Sequence, residues 1–224
     1  MDIRGNTVLV TGATGFTGSF VAERLVREGV QVRALVRRKG ALVPDAATVV
    51  GDLRDPAGLA AAVEGVDAVV HCAVAYRLDI EEARRLTVEG TRALAEAALT
   101  AGCRRFVHLS SISVYAIDGL DVVDENSPLL GPERAEQDPY GVSKAEAEHA
   151  LADVSERGLA TVILRPPAIL GPHLRCGWAV RVAADVARGA LGYHGDGREQ
   201  LPYVYVENLA DAVLLALKND RAVG

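Results

Sequence analysis

Three cysteines in 224 residues, Cys72, Cys103 and Cys176, are too scattered and odd in number for a disulfide framework or a clustered metal site. They read as reduced, buried small hydrophobes of a cytosolic protein, and no metal ligands are expected. Positive charge is not in excess: 24 Lys and Arg against 30 Asp and Glu give a net charge of −6, which argues against a nucleic-acid surface. No stretch reaches the roughly 18 apolar residues of a membrane span. The N-terminal MDIRGNTVLV lacks the apolar h-region and small-residue cleavage site of a leader. Internal repeats and low-complexity tracts are missing too. The expectation is a soluble, cytoplasmic chain, half of it hydrophobic, long enough for one sizeable α/β domain over residues 1–224 and short for two.

What the chain does have is alternation. Strand-like runs fall at residues 7–11, 31–36, 47–50, 67–72, 105–111 and 160–165, each followed by a helix-like or turn segment. That order predicts a parallel sheet covered on both faces, a doubly wound Rossmann-type α/β fold. Glu81 to Ala101 carries Leu86, Ala93, Leu94, Ala97 and Ala98 at helical spacing and stops at Gly102, a natural C′ residue. From Ala116 to Gln137 the pattern lapses into a loop rich in Gly, Asp and Pro, longer than a connection needs and so a candidate active-site wall.

The first strand leads straight into TGATGFTG, Thr11 to Gly18, and then into an amphipathic stretch with Val21, Leu25 and Val26 on one face. A pyrophosphate needs backbone N–H groups at a helix N-terminus and no side chains in its way, which gives Gly12, Gly15 and Gly18 a mechanical reason. Thr14 and Phe16 of the same turn are counted with them as cofactor-binding residues. Glycines in a strand-to-helix turn also serve simply to supply positive φ. The second strand ends in Arg37-Arg38-Lys39, and Arg37 stands 19 residues beyond Gly18, about where such folds read the ribose 2′ position. An acid there favours NAD; these cations favour NADP. After the third strand, Asp52 has two readings: an acceptor for the adenine amino group, or a turn residue or N-cap of the helix that begins near Pro56.

The second informative segment is DPYGVSK. Asp138 can cap a helix and Pro139 can take its first position, so Tyr140 falls in the first turn and Lys144 one turn on, on the same face. A phenol titrates near about 10, and a neighbouring ammonium lowers that by favouring the phenolate. The plainer alternative is a surface helix with an incidental Tyr and Lys. Upstream, the strand Phe106 to Leu109 delivers Ser110, Ser111 and Ser113 to the end of the sheet where ligands bind in such folds, and the three compete as donor to a substrate carbonyl oxygen.

Taken in order, TGATGFTG, GDLRD, HLSSISVY, YGVSK, RPPAILGP and YVYVENLADAV resemble the successive motifs of the extended short-chain dehydrogenase/reductase family, also described as the NAD-dependent epimerase/dehydratase family, over essentially the whole chain. The resemblance implies a Ser-Tyr-Lys set. The family's Ser precedes the Tyr of the V-Y ending by four positions, which selects Ser111, counting back from Tyr115. Tyr140 is then the general acid/base, and Lys144 holds the nicotinamide ribose and lowers the phenol. Gly12, Gly15 and Gly18 carry the pyrophosphate, Asp52 and Leu53 flank the adenine, Ala73 backs the cofactor, and Pro166 and Pro167 pass the nicotinamide.

Two departures stand out. Thr87 occupies a position where the family often has Asn. Relatives also continue well beyond the helix that here precedes Gly224, so only Gly171 to Pro202 is expected to contribute a small, apparently truncated substrate lobe. The apolar helix Leu209 to Leu217 should then lack a partner and leave apolar surface exposed, which favours a homo-oligomer. The expected function is an oxidoreductase moving hydride between NADP, with NAD as second choice, and a carbonyl or secondary alcohol of a small organic substrate. The alternatives are a nucleotide-sugar epimerase or dehydratase that retains NAD, and a dinucleotide-binding protein without catalysis. Tyr76, Tyr115, His173, Trp178, Tyr193 and His194 are candidates for lining a substrate pocket, each as readily explained by packing.

Overall fold

The computed structural model describes residues 2–74, 78–173, 178–190 and 201–224. Tyr76, Cys176, Tyr193 and His194 lie outside the described residues, as does the side chain of Trp178. The β-branched runs become β1 (Thr7–Thr11), β2 (Gln31–Val36), β3 (Ala47–Val50), β4 (Ala68–His71), β5 (Arg105–Leu109) and β6 (Thr161–Leu164). All six are parallel, in the order β3-β2-β1-β4-β5-β6. β5 stops before residue 111 because the chain turns at Ser111 into a short 3-10 segment, Ile112–Val114. The winding reverses between β1 and β4, and in such sheets the crevice beyond the carboxyl ends at that reversal is where ligands bind.

Seven helices are described: α1 (Phe16–Arg27), α2 (Pro56–Val63), α3 (Ile80–Ala83), α4 (Gly90–Thr100), α5 (Pro139–Ser155), α6 (Trp178–Ala187) and α7 (Val206–Lys218). Alternating side chains of each strand feed two separate cores. On one face Val8, Val10, Val107 and Leu109 meet Val21 and Leu25 of α1 and Val213 and Leu217 of α7. On the other, Leu9, Val69 and Phe106 meet Leu59 of α2, Leu94 and Ala98 of α4, and Leu151 and Val154 of α5. The long helix expected over Glu81 to Ala101 is instead α3, a π-helical stretch Arg84–Glu89 and α4. Gly102 ends it with φ +74, the left-handed turn its residue type predicted.

α7 corrects one expectation. It does not wait for an external partner: Leu209, Ala210, Val213, Leu214 and Leu217 are buried against α1 and the sheet, and Leu215 is the large apolar residue left out at 63% exposure. Arg24 of α1 pairs with Asp211 at 2.6 Å, and Lys218 reaches Glu28. From inside the sheet, buried Arg105 donates to Ala216 O and Asn219 O, satisfying carbonyls that the helix end leaves over. Exposed apolar residues do occur nearby, at Val186, Leu201 and Tyr203. Beside them, β7 (Ala168–Leu170) and β8 (Tyr203–Tyr205) form a separate two-stranded parallel sheet that the alternation did not predict, three residues being too short for a period-two signal.

The two leucines of α7 give a direct test of this packing. Leu217→Ala should cost about 2–5 kcal/mol, as truncation of a fully buried leucine does, whereas Leu215→Ala should stay within about 0.5 kcal/mol. Urea unfolding of both variants against wild type reads the contrast.

Candidate active site at the carboxyl edge of the sheet

Of the three glycines of the first turn, Gly12 alone has a left-handed φ, +69. The simple reading, in which all three supply positive φ, is therefore insufficient. A Cβ on Gly12 would lie 2.8 Å from Ala73 N, and one on Gly18 would collide with the Gly12 carbonyl oxygen. The turn is built so closely that a side chain has no place at Gly12 or Gly18. α1 then begins at Phe16 with Gly15 as its N-cap, no capping side chain and no acid in its first turn. Its N-terminal N–H groups and positive dipole end are available to an anion.

The neighbouring loop is tied in by a hydrogen-bond chain. Ala73 N–H donates to Thr11 Oγ1 at 3.1 Å, the Thr11 hydroxyl is hydrogen-bonded to His71 Nδ1 at 2.6 Å, and His71 Nε2 is hydrogen-bonded to Thr91 Oγ1 at 3.1 Å. Burial keeps this imidazole neutral, pushing its pKa down to about 3, with the Lys144 charge adding to the effect. His108 packs with its ring centroid 5.3 Å from that of His71. Neither of its nitrogens has a hydrogen-bond partner among the described residues. Burial and the Lys144 charge hold it well below the ordinary histidine range.

At β2's end, Arg37 and Arg38 are exposed. Asp52, after β3, accepts from Arg54 N–H and is paired with the Arg54 guanidinium at 2.7 Å, bonds that hold its carboxyl down to about 2 with a smaller pull from the charge of Arg37. Asp52 thus takes part in the turn that follows β3. It is not the N-cap of α2, which is Asp55. Leu53 packs against Gly90, where a Cβ would sit 3.0 Å away.

α5 forms as DPYGVSK predicts: Asp138 is the N-cap, accepting from Gly141 N–H at 2.8 Å, with Pro139 in the first position. A Cβ on Gly141 would collide with Ser113 O, so the first turn of α5 seats directly on the turn that follows Ser111. That close approach brings Tyr140, which is half-buried, and Ser111 to one end of the sheet. Ser111 Oγ accepts from Ser113 N–H at 3.1 Å, leaving its own O–H to donate. Ser110 is buried with its hydroxyl unpartnered among the described residues, and Ser113 bonds through its backbone. Lys144 is 2% exposed and donates from Nζ to Leu109 O at 2.8 Å. Burial lowers its ammonium to about 8, opposed by nearby Cys72 and Glu148. Ile112 N–H donates to Pro166 O at 3.1 Å, which places the Pro166 segment beside the Ser111 turn.

A family model, the NAD dependent epimerase/dehydratase family, matches residues 8–224. The chain belongs to that family. It is 36% identical over 225 residues to a 3-beta-hydroxysteroid dehydrogenase of Mycolicibacterium neoaurum, covering 95% of this chain and 61% of that protein. It is 32% identical over 222 residues to a 2-alkyl-3-oxoalkanoate reductase of Stenotrophomonas maltophilia, covering 94% and 65%. The chain thus spans under two thirds of the length of either relative. Among solved structures, a short-chain dehydrogenase/reductase superfamily protein of Agrobacterium tumefaciens with bound NAD superposes with a TM-score of 0.80 at 28% identity, covering 98% of this chain and 76% of that one. Family membership and Rossmann-like sheet agree with the motif order of the sequence.

Several residues of this site escaped the sequence reading. Thr11, His71, Thr91 and His108 carry the only available signal in being polar within otherwise apolar β-branched or helical runs. Glu148 and Arg165 give a similar sign, a charge on a helix buried on most of its circumference and a charge at the end of a strand. Of the pocket candidates, Tyr115 is buried and bonded to Arg165, and His173 is exposed with φ +64.

The buried histidines add a pH dependence to stability. The folded pKa of His71 lies below its unfolded value, so the folded state binds fewer protons and stability falls as pH drops from about 6.5 toward about 3. Between pH 7 and pH 5 the loss from His71 should be about 2 kcal/mol. Urea unfolding at both pH values should show that share of the slope disappear in His71→Asn, whatever the variant's stability at pH 7.

Proposed function

We propose that the chain is an NADP-preferring oxidoreductase acting on a ketone or secondary alcohol of a small organic substrate through Ser111, Tyr140 and Lys144. The observation that carries this reading is the seating of the first turn of α5 on the Ser111 turn while Lys144 is held at the end of β5. The residues present fit a dinucleotide. Gly12 and Gly18 leave backbone alone where phosphates approach, the α1 terminus is uncapped, and the exposed Arg37 and Arg38 follow β2 where the ribose edge belongs. Thr14, Gly15 and Phe16 present the adjoining backbone, Asp52 and Leu53 the adenine side, and Ala73 and Pro166 the wall behind the nicotinamide.

When bound, the nicotinamide gives or accepts the hydride. The protein's residues manage the proton. Lys144 spends one of its three N–H groups on Leu109 O and keeps two for ribose hydroxyls, and with a pKa of about 8 it is largely an ammonium at neutral pH. Its charge favours the phenolate of Tyr140, which lets that residue return a proton to, or take one from, the substrate oxygen. Ser111 donates to the same oxygen and orients it. The names of the two relatives, one a reductase of an oxoalkanoate and one a hydroxysteroid dehydrogenase, support a carbonyl on an apolar skeleton. Assembly of the working enzyme as a homo-oligomer remains part of this proposal.

Two variants test it. With NADPH and a panel of 3-oxo esters and ketosteroids, Tyr140→Phe should lose at least about 100-fold in turnover with cofactor affinity kept. Near-normal turnover removes Tyr140 from the chemistry. By calorimetry NADP should bind more tightly than NAD by at least about 1.5 kcal/mol, one charged hydrogen bond, and Arg37→Asp should shrink or reverse the difference. Equal affinities in the wild type would favour the NAD-retaining epimerase instead.

A further inference from the structure

Arg165 follows β6 directly and is the meeting point of three segments. Its Nε lies 3.1 Å from both carboxylate oxygens of Glu148, and its Nη2 donates to Glu148 Oε2 at 2.7 Å. Its Nη1 donates to the Tyr115 hydroxyl oxygen at 2.8 Å and to Glu125 O at 3.1 Å. Glu148 sits on α5 one turn beyond Lys144, with its side chain 3% exposed; that of Arg165 is 20% exposed. Tyr115 closes the turn that starts at Ser111, and Glu125 lies in the wall segment, which leaves and rejoins the fold through Ala116 N–H to Pro128 O and Leu130 N–H to Val114 O. The next residue's carbonyl, Pro166 O, accepts from Ile112 N–H in the same turn.

A buried ion pair is weak grounds for stability, since desolvating both charges offsets most of their attraction. What this pair offers is geometry. The planar guanidinium presents donors along two edges at once, and here one edge takes the carboxylate of α5 while the other takes the wall. A lysine amine is a point donor and has no second edge.

We propose that Arg165 is a positioning residue that fastens the wall segment 116–130 to α5, so that the Ser111 turn and the Tyr140–Lys144 helix keep one fixed relation. The functional weight of that relation rests on the oxidoreductase reading; the fastening itself does not. Arg165 touches none of the residues assigned to the dinucleotide phosphates or adenine, so its loss reaches the nucleotide only at the nicotinamide end, through the segments it fastens.

The test uses hydrogen exchange of the cofactor-free chain, read by mass spectrometry. Arg165→Met alone would strand a buried carboxylate, so the informative variants are Glu148→Met/Arg165→Met, Arg165→Lys and the mild Tyr115→Phe. The double variant should exchange amides in 116–130 at least tenfold faster than wild type while those of β1 and β4 stay within twofold. Arg165→Lys should keep the ion pair yet fail to restore wall protection, and Tyr115→Phe should accelerate the same amides by a smaller factor. Wall exchange within twofold of wild type in the double variant overturns the proposal, as does acceleration spread evenly over the sheet or full protection in Arg165→Lys. NADP+ affinity is measured alongside by calorimetry, and a loss of affinity in the double variant without faster wall exchange would move the effect of Arg165 to the nucleotide and contradict the proposal. If wild type binds no NADP+ at all, the oxidoreductase reading fails while the exchange result still decides the role of Arg165.

Discussion

The close approach of backbone to backbone in the first turn governs the rest of the site. Gly18 lies on the Gly12 carbonyl and Gly12 lies on Ala73, so the start of α1, the end of β1 and the loop after β4 occupy one small volume with no Cβ to separate them. Because β1 and β4 flank the point where the winding reverses, that contact fixes an uncapped helix terminus at the mouth of the crevice. The Ala73, Thr11, His71 and Thr91 chain extends the same constraint down between β4 and α4. It does so with a neutral imidazole in a layer that holds His108 and Lys144 nearby.

The second half of the site depends on buried charge. Lys144 and Glu148 lie one turn apart on α5, both almost without exposure, and each needs a partner on another segment. Lys144 finds the last carbonyl of β5 and Glu148 finds Arg165 at the end of β6. With the two bonds coming from the ends of different strands, α5 is held in rotation as well as in position. Gly141 completes the seating by letting the helix start touch the Ser111 turn.

The fold was legible because its signals are local and repeated. Strand periodicity at 31–36 and 47–50 and the cap chemistry of Asp138 and Gly102 all act within a few residues, and the structure follows them. The helix over Glu81 to Ala101 was read correctly in extent, yet its π-helical stretch has no local signature in the chain. α7 was misjudged because apolar residues around most of a helix do not say which element covers them, and α1 does. Asp52 was left between two readings because its Arg54 partner belongs to the same turn, a competition that spacing does not decide. The buried histidines and the Arg165 bridge went unseen for a deeper reason: their partners are 20 or more residues away in the case of His71, and 17, 40 and 50 in that of Arg165.

On the proposed reading, the glycine turn and the α5 helix hold the two ends of one dinucleotide. A crystal structure of the chain grown with NADP+ tests it most directly. The pyrophosphate should lie against Gly12 to Gly18 and the nicotinamide ribose within hydrogen-bond reach of Lys144 Nζ, with Ser111 and Tyr140 facing the nicotinamide ring. A nucleotide bound elsewhere, or one that leaves Lys144 bonded to protein alone, would contradict it.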